Sequence, residues 1–240
     1  MQLRLVGNAV LTTSWTGLAC SYALAYQAVR HDADALRRHT LGWARVLAHG
    51  WGVEVAAFGV ARIDTSVPCV ILANHQSHAD VVALFCALPV MPVFLAKQEL
   101  RSVPLFGRVM QTGGHVFVDR ARHDSAVHTI EDAARQLRPG SPLVVFPEGT
   151  RGRRPEISRF KKGGFHLARQ AQVAIVPVGI RGSHDVWPRS APAARPGRIE
   201  VHVGEPIAAE DVASAELDTL VADVRARIAE LAALPLAKPR

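Results

Sequence analysis

After residue 59, short runs of apolar residues alternate along the chain with stretches of helical periodicity. Strands that alternate with helices are typical of α/β proteins built on a parallel sheet. We therefore predict an α/β fold with a mixed, largely parallel sheet flanked by helices. Residues 183–198 contain three prolines and are predicted to form a loop. The predicted strands cover residues 67–73, 92–96, 116–118, 142–146, 174–178 and 199–203, and the predicted helices cover residues 81–88, 125–137, 163–171 and 214–231.

The first 50 residues have a different pattern. No charged residue lies between Arg4 and Arg30, and a stretch of this length is enough to span a bilayer, although several polar residues dilute it. In the next segment, one helical face carries Leu36, Trp43 and Leu47 and the opposite face is charged. Amphipathic helices of this kind lie in membrane interfaces.

We predict membrane-associated helices in residues 1–58 and an α/β domain in residues 59–240. The pattern leaves the form of the N-terminal segment open. A single transmembrane anchor, a monotopic helical hairpin and a cleaved signal peptide all fit an apolar stretch of this kind. A pair of ordinary helices that face the protein core also fits, since most amphipathic helices do so.

The composition narrows the classes of function. Hydrophobic residues make up 49% of the 240, which is enough for a sizeable core and excludes a disordered chain. The net charge of +7 suits nucleic acid, an anionic membrane surface or a phosphorylated substrate, and does not choose among them. The three cysteines have neither paired nor metal-like spacing, which favours a reducing compartment over a disulfide framework. The histidines match no zinc pattern, so no metal site is predicted.

The most informative polar residues are His75 and Asp80, which follow the predicted strand 67–73 and precede the predicted helix 81–88. An imidazole oriented by a carboxylate is the usual form of a general base. Ser77 and Asp80 also match a helix capping box, with Ser77 as the N-cap and Asp80 as the third helical residue. The two interpretations are compatible, because a carboxylate at that position folds back toward the loop that carries His75.

Three other predicted strands also end in charged residues. The carboxyl ends of parallel strands meet at one edge of an α/β sheet, where such folds bind ligands. Guanidinium and ammonium groups at this edge would bind a phosphate, and a glycine among them would let the backbone approach it. Glu148 has two possible roles here, as a partner for Lys97 or Arg151 or as an acceptor for a substrate hydroxyl. The residues at these three strand ends are Lys97, Arg120, and the segment 148–151 with Glu148, Gly149, Thr150 and Arg151.

Four short segments of the chain occur in a familiar order: NHQSHAD at 74–80, GHVFVDR at 114–120, FPEGTR at 146–151 and IVPV at 175–178. They match the four ordered blocks of the glycerolipid acyltransferases. The chain closely resembles the bacterial 1-acylglycerol-3-phosphate (lysophosphatidic acid) acyltransferases, over residues 59 to about 207. Four blocks in order are far more specific than any one motif.

The resemblance implies a mechanism. His75 would be the general base that takes the proton from the free hydroxyl of a lysophospholipid, and Asp80 would orient it. The hydroxyl oxygen would attack the thioester of acyl-CoA or acyl-carrier protein directly, without a covalent acyl-enzyme. The residues that the resemblance assigns to the acceptor and its phosphate are Lys97, Arg120, Glu148, Gly149, Thr150 and Arg151. From the loop itself, we expect a backbone amide of residues 74–78 to stabilise the oxyanion.

The resemblance also implies that the protein needs no cofactor and that its partners are membrane lipids, the lysophospholipid and the acyl donor. It implies a location on the inner (cytoplasmic) membrane, with the active site facing the cytoplasm. Another lysolipid, such as lyso-ornithine lipid, remains an alternative acceptor. A non-catalytic protein that binds membranes or nucleic acid is a more distant alternative. Nucleic acid is not predicted as a partner, because aromatics make up only 6% of the chain and none interrupts the basic run 151–154.

Overall fold

The computed structural model describes residues 2–30, 33–119, 129, 132–135 and 137–238. Its first two helices are α1 (Gln2–Arg30) and α2 (Ala33–Trp51). Side-chain contacts join Thr12 in the first half of α1 to the end of α2, and Tyr26 near the end of α1 to His39 in the first half of α2, so the two helices form an antiparallel hairpin. The indole N–H of Trp51 donates to Thr12 Oγ1 at 2.9 Å, and that of Trp43 donates to Thr16 Oγ1 at 3.0 Å.

The two helices of the hairpin differ in how they pack. α2 buries Leu47 and Trp51 in the core of the domain. α1 leaves large apolar side chains exposed along its length, from Leu3, which is 89% exposed, to Val29. Among the described residues, no helix combines the length and the hydropathy that crossing a bilayer requires.

The described residues form one seven-stranded sheet in the order β1-β7-β6-β2-β5-β3-β4. Neighbouring strands are parallel except β6 and β7, which are antiparallel. This confirms the predicted fold class, a mixed and largely parallel sheet flanked by helices. The strands are β1 (Val53–Phe58), β2 (Cys69–Ala73), β3 (Val93–Lys97), β4 (Val116–Val118), β5 (Leu143–Val145), β6 (Ala174–Arg181) and β7 (Gly197–Val203).

Helices cover both faces of the sheet. Along the central strand β2, Ile71 packs in the hydrophobic layer that includes α2, while Val70 and Leu72 pack in the layer on the other face. A strand that is buried on both faces is apolar throughout, which is why CVILA is a continuous apolar run. The other α-helices whose bounds the structure describes are α3 (Ala79–Ala87), α4 (Phe106–Thr112), α5 (Gly163–Ala171), α6 (Ser183–Val186), α7 (Ala209–Ser214) and α8 (Leu217–Ala232), with 3₁₀ turns at Val60–Arg62 and Gln98–Ser102.

The structure differs from the sequence-based elements in several places, and the described helices α4 and α7 were not predicted. Strand β1, an edge strand paired with β7, was not predicted, and it falls within the segment 1–58 of our division and not within 59–240. The predicted loop 183–198 contains the short helix α6 and the start of β7. Of the predicted helix 125–137, only residues 129, 132–135 and 137 are described, of which 129 and 132–135 are helical.

Candidate active site

The loop between β2 and α3 is held at its first residue by a buried amide. Asn74 Nδ2 donates to the carbonyl of Ile180 at 2.9 Å, and Asn74 Oδ1 accepts from the amide of Ile180 at 2.7 Å. Both strands run parallel up to this point, with Ala73 paired to Val178. The side chain of Asn74 therefore takes the place of a backbone partner beyond the end of β2, and it fixes where the loop leaves the sheet.

His75 and Asp80 are in direct contact. Nδ1 of His75 lies 2.8 Å from Oδ2 of Asp80, whose side chain is fully buried. A carboxylate only accepts, so Nδ1 carries the hydrogen and Nε2 keeps its lone pair. The imidazole stacks on Phe146, with 4.0 Å between ring centroids, and its side chain is 18% exposed. The ring is therefore oriented by two contacts and remains accessible to a substrate.

The capping-box prediction is confirmed in its two hydrogen bonds, which join Ser77 to Asp80 and to Ala79, and is wrong by one residue in the start of the helix. α3 begins at Ala79 and its N-cap is His78, so Asp80 is the second and not the third helical residue. Oδ2 of Asp80 accepts from the amides of Gln76 and Ser77, both at 2.8 Å. One oxygen thus organises the turn and orients the imidazole.

Ser77 lies one position before the cap. Its Oγ accepts from the amide of Ala79 at 3.0 Å and donates to the carbonyl of Trp187 at 2.8 Å. The serine therefore satisfies one amide of the first helical turn and also ties the loop to the segment that follows α6.

The same hydrogen bonds limit the expected oxyanion site. Of the amides of residues 74–78, those of Gln76 and Ser77 donate to Asp80 and that of His75 donates to Glu148. An amide that is already bound to a carboxylate is a poor donor for a developing oxyanion. These three amides are therefore engaged elsewhere. Within residues 74–78, the amides of Asn74 and His78 remain as the expected donors to the oxyanion.

The segment after β5 binds the backbone of His75 on both sides. Oε1 of Glu148 accepts from the amide of His75 at 2.8 Å, and the amide of Gly152 donates to the carbonyl of His75 at 2.8 Å. The other carboxylate oxygen of Glu148 accepts from the amide of Ser158 at 3.0 Å. Burial raises the pKa of Glu148, while these hydrogen bonds act in the opposite direction. Glu148 therefore bonds to backbone amides, and not to Lys97 or Arg151.

Two glycines give this segment its shape. Gly149 has φ +74°, a left-handed conformation that favours glycine. At Gly152, a Cβ would lie 2.4 Å from Oε1 of Gln76. Gly152 was not among the predicted site residues, because its importance arises from a neighbour 76 positions away and not from any local motif.

Arg151 lies beside the His75–Asp80 pair. Its Nη1 atom is buried and finds no hydrogen-bond partner in the described part of the chain. Burial and the positive charge of Arg189 lower the pKa of the Arg151 guanidinium, and the charge of Asp80 raises it. Burial and the charge of Arg151 likewise lower the pKa of His78 to about 4, so His78 is neutral near pH 7.

The other predicted basic residues are less well placed or are not described. Lys97 lies at the end of β3, which is separated from β2 by β5, and its ammonium group pairs with Glu99 at 2.6 Å. The Lys97 side chain is 60% exposed. Arg120 lies outside the described residues. Thr150 accepts a long hydrogen bond, 3.4 Å, from Arg189, a residue that was placed in the predicted loop 183–198 and was not predicted to belong to the site.

One histidine is explained by packing. His115, which precedes β4, is partly buried, and its Nδ1 accepts from the amide of Phe94 at 2.9 Å. Burial lowers the pKa of His115 to about 4. In the ranges that the structure describes, no three His, Cys, Asp or Glu side chains gather as metal ligands would.

The edge of this α/β sheet thus brings together a partly exposed imidazole, a buried carboxylate and an arginine with an unused donor. The family model described as Acyltransferase matches residues 55–181. The chain is 33% identical over 196 residues to human 1-acyl-sn-glycerol-3-phosphate acyltransferase beta, covering 80% of this chain and 70% of that protein. It is 33% identical over 177 residues to the mouse alpha enzyme, covering 73% of this chain and 62% of that protein.

A solved structure resembles the whole chain. The crystal structure of the 1-acyl-sn-glycerophosphate (LPA) acyltransferase PlsC from Thermotoga maritima superposes with a TM-score of 0.80, at 22% identity, and the match covers 99% of both chains. The chain belongs to the acyltransferase family, which confirms the resemblance drawn from the four sequence blocks.

Proposed function

We propose that this acyltransferase transfers a fatty acyl group from a thioester to the free hydroxyl of 1-acylglycerol-3-phosphate, giving phosphatidic acid. The observation that carries the proposal is the 2.8 Å contact between Nδ1 of His75 and Oδ2 of Asp80, which leaves Nε2 as the basic atom. The names of the relatives with which the chain aligns point to the same acceptor.

In the proposed mechanism, Nε2 of His75 takes the proton of the acceptor hydroxyl as its oxygen attacks the thioester carbonyl. A carbon–oxygen bond forms and the tetrahedral intermediate then breaks its carbon–sulfur bond. The thiolate leaves and recovers the proton from the imidazolium. Asp80 stabilises that imidazolium through Nδ1 and does not itself need to take up the proton.

The acceptor phosphate is proposed to bind beside the imidazole, at Arg151. The buried, unpartnered Nη1 of Arg151 supports this assignment, because a buried donor is costly unless a ligand satisfies it. Lys97 lies at the end of β3, which is next to β5, the strand that precedes the Arg151 loop. We retain Lys97 and Arg120 as proposed phosphate ligands, and we assign Glu148, Gly149 and Thr150 to the shape of the pocket.

The donor is proposed to be acyl-CoA or acyl-carrier protein, with no cofactor. The exposed apolar side chains of α1 and the net charge of +7 support contact with an anionic membrane surface. We propose that α1 lies on the inner (cytoplasmic) membrane, from which the lysophospholipid reaches the site on the cytoplasmic side. The exposed side chains concerned are Leu3, Val6, Val10, Leu18, Tyr22 and Val29.

The test offers the purified wild-type enzyme a panel of lysolipids with acyl-CoA and with acyl-carrier protein, and identifies the products by mass. The panel includes 1-acylglycerol-3-phosphate, lysophosphatidylglycerol and lyso-ornithine lipid. We expect phosphatidic acid as the main product, and no product from the matched His75→Ala variant. A product formed only from a lysolipid without a phosphate monoester would contradict the proposed acceptor.

A further inference from the structure

The segment that follows α6 brings a second arginine to the site. Nη1 of Arg189 donates to the carbonyl of Arg151 at 3.2 Å and lies 3.4 Å from Thr150 Oγ1. Arg189 is exposed, and it lies more than 30 positions along the chain from the residues it contacts. The tertiary fold therefore joins an arginine outside the four sequence blocks to the loop that carries Arg151.

This segment is fixed in place by several contacts. The carbonyl of Trp187 accepts from Ser77 Oγ at 2.8 Å, and the Trp187 indole N–H donates to the carbonyl of Ala191 at 3.0 Å. Further along, the carbonyl of Ala194 accepts from Nδ2 of Asn8 in α1 at 2.8 Å. Arg189 therefore extends from a segment that is tied to the β2–α3 loop on one side and to the N-terminal hairpin on the other.

Two like charges lie close enough at this point for Arg189 to lower the pKa of the Arg151 guanidinium. Neither Arg151 nor Arg189 forms an ion pair with a carboxylate in the part of the chain that the structure describes. Neighbouring guanidinium groups repel one another unless an anion lies between them. A guanidinium has five N–H donors, and the described bonds of Arg189 use only those on Nη1.

We infer that Arg189 is a second phosphate ligand, which with Arg151 binds the phosphate monoester of the acceptor lysophospholipid. This inference rests on the proposed function and adds a residue that the four blocks do not contain. A phosphate bound by both guanidinium groups would offset the repulsion between them, and two such groups bind a dianion more strongly than one. The ligand is the acceptor phosphate and not the phosphates of coenzyme A, because the arginines adjoin the imidazole that receives the acceptor's proton.

The test compares Arg189→Gln with Arg189→Lys and with a matched control, Arg195→Gln. Arg195 is exposed in the same segment, so its substitution removes the same charge without touching the Arg151 loop. In Arg189→Gln we expect the KM for 1-acylglycerol-3-phosphate to rise about tenfold or more, as for the loss of a hydrogen bond to a charged group. The KM for acyl-CoA and the melting temperature should stay near wild type. The lysine variant should recover part of the affinity, and the Arg195 control should behave as wild type.

A second measurement separates binding from turnover. Equilibrium binding of 1-acylglycerol-3-phosphate is compared between His75→Ala and the double variant His75→Ala/Arg189→Gln, with an expected loss of about tenfold or more. An unchanged acceptor KM and affinity would overturn the inference, as would a rise confined to the KM for acyl-CoA. A lowered melting temperature and kcat with an unchanged acceptor KM would show a merely structural role and would also overturn it. If the wild type made no phosphatidic acid at all, the proposed function itself would fail, which is a different result.

Discussion

Glu148 binds His75 through the backbone: its Oε1 accepts the amide hydrogen of His75 at 2.8 Å, while its other oxygen accepts from Ser158 at 3.0 Å. A residue that the motif alone would place in the substrate pocket therefore positions the candidate base. Because Gly152 also donates to the carbonyl of His75, the loop after β5 fixes the peptide that carries the imidazole. The first and third sequence blocks are thus joined into one hydrogen-bonded unit.

Glu148→Gln should damage this unit. The substituted amide group has one acceptor oxygen, so one of the two backbone amides loses its partner and faces an NH₂ donor instead. We expect a loss of about 1–3 kcal/mol in the free energy of unfolding, measured by urea denaturation. We also expect the change in kcat, which should fall, to be larger than the change in the KM for the acceptor. Glu205→Gln is the control, because Glu205 is exposed on the surface in an ion pair with Arg62. Wild-type stability and kcat in Glu148→Gln would show that the backbone contact is unimportant.

His75→Ala and Asp80→Asn should both lower kcat, by different amounts. Removing the imidazole removes the base, and we expect a loss of about 100-fold or more. Asp80→Asn leaves the base present but disoriented, so its kcat should fall less. It should also lower the stability, because a neutral amide oxygen accepts the three hydrogen bonds of Oδ2 less strongly than a carboxylate does. The new NH₂ group would also take the place of Oδ1, which is buried without a partner in the described residues. Steady-state rates and urea denaturation check both parts. A fully active His75→Ala enzyme would refute the general-base assignment.

Gly152→Ala should disturb the site by crowding. The new methyl group would lie 2.4 Å from Oε1 of Gln76 and 3.0 Å from the carbonyl oxygen of Arg154, so the buried Gln76 side chain would have to move. Overpacking of this kind costs about 1–3 kcal/mol. We expect a lower melting temperature together with a lower kcat. Gly42→Ala is the matched control, because a Cβ there meets nothing within 4 Å in the described structure, and alanine favours the helix. Equal effects of the two substitutions would contradict the close contact.

His115 should make the protein less stable in mild acid. Its pKa is about 4 in the folded protein against about 6.5 when unfolded, so between these values the unfolded chain binds the proton more tightly. The contribution of the neutral histidine is fully present above pH 6.5 and is lost as the pH falls toward 4. His115→Asn keeps an acceptor for the Phe94 amide but does not titrate. Between pH 7 and pH 4, wild type should lose about 3 kcal/mol more than this variant, measured by urea denaturation. Identical pH profiles would show that burial does not depress the pKa.

The predicted elements that agree with the structure are those with strong local patterns. β2 and β5 are continuous apolar runs because both faces of each are covered. Strand β1 was missed because it is an edge strand with only part of its surface buried, so VEVAAF has no clear period. The antiparallel pairing of β7 with β6 also has no signature in the sequence, since direction depends on how the segment between them folds.

By itself, the sequence determined the α/β class, the acyltransferase family and the proximity of His75 to Asp80. These follow from periodicity, from motifs and from a spacing of five residues, all of which are local. Only the tertiary structure decided that Glu148 binds the backbone of His75, 73 positions away, and that Gly152 and Arg189 adjoin the site. Such contacts arise when segments that are distant in the chain pack against one sheet edge. The residues that flank each partner in the sequence therefore give no sign of them.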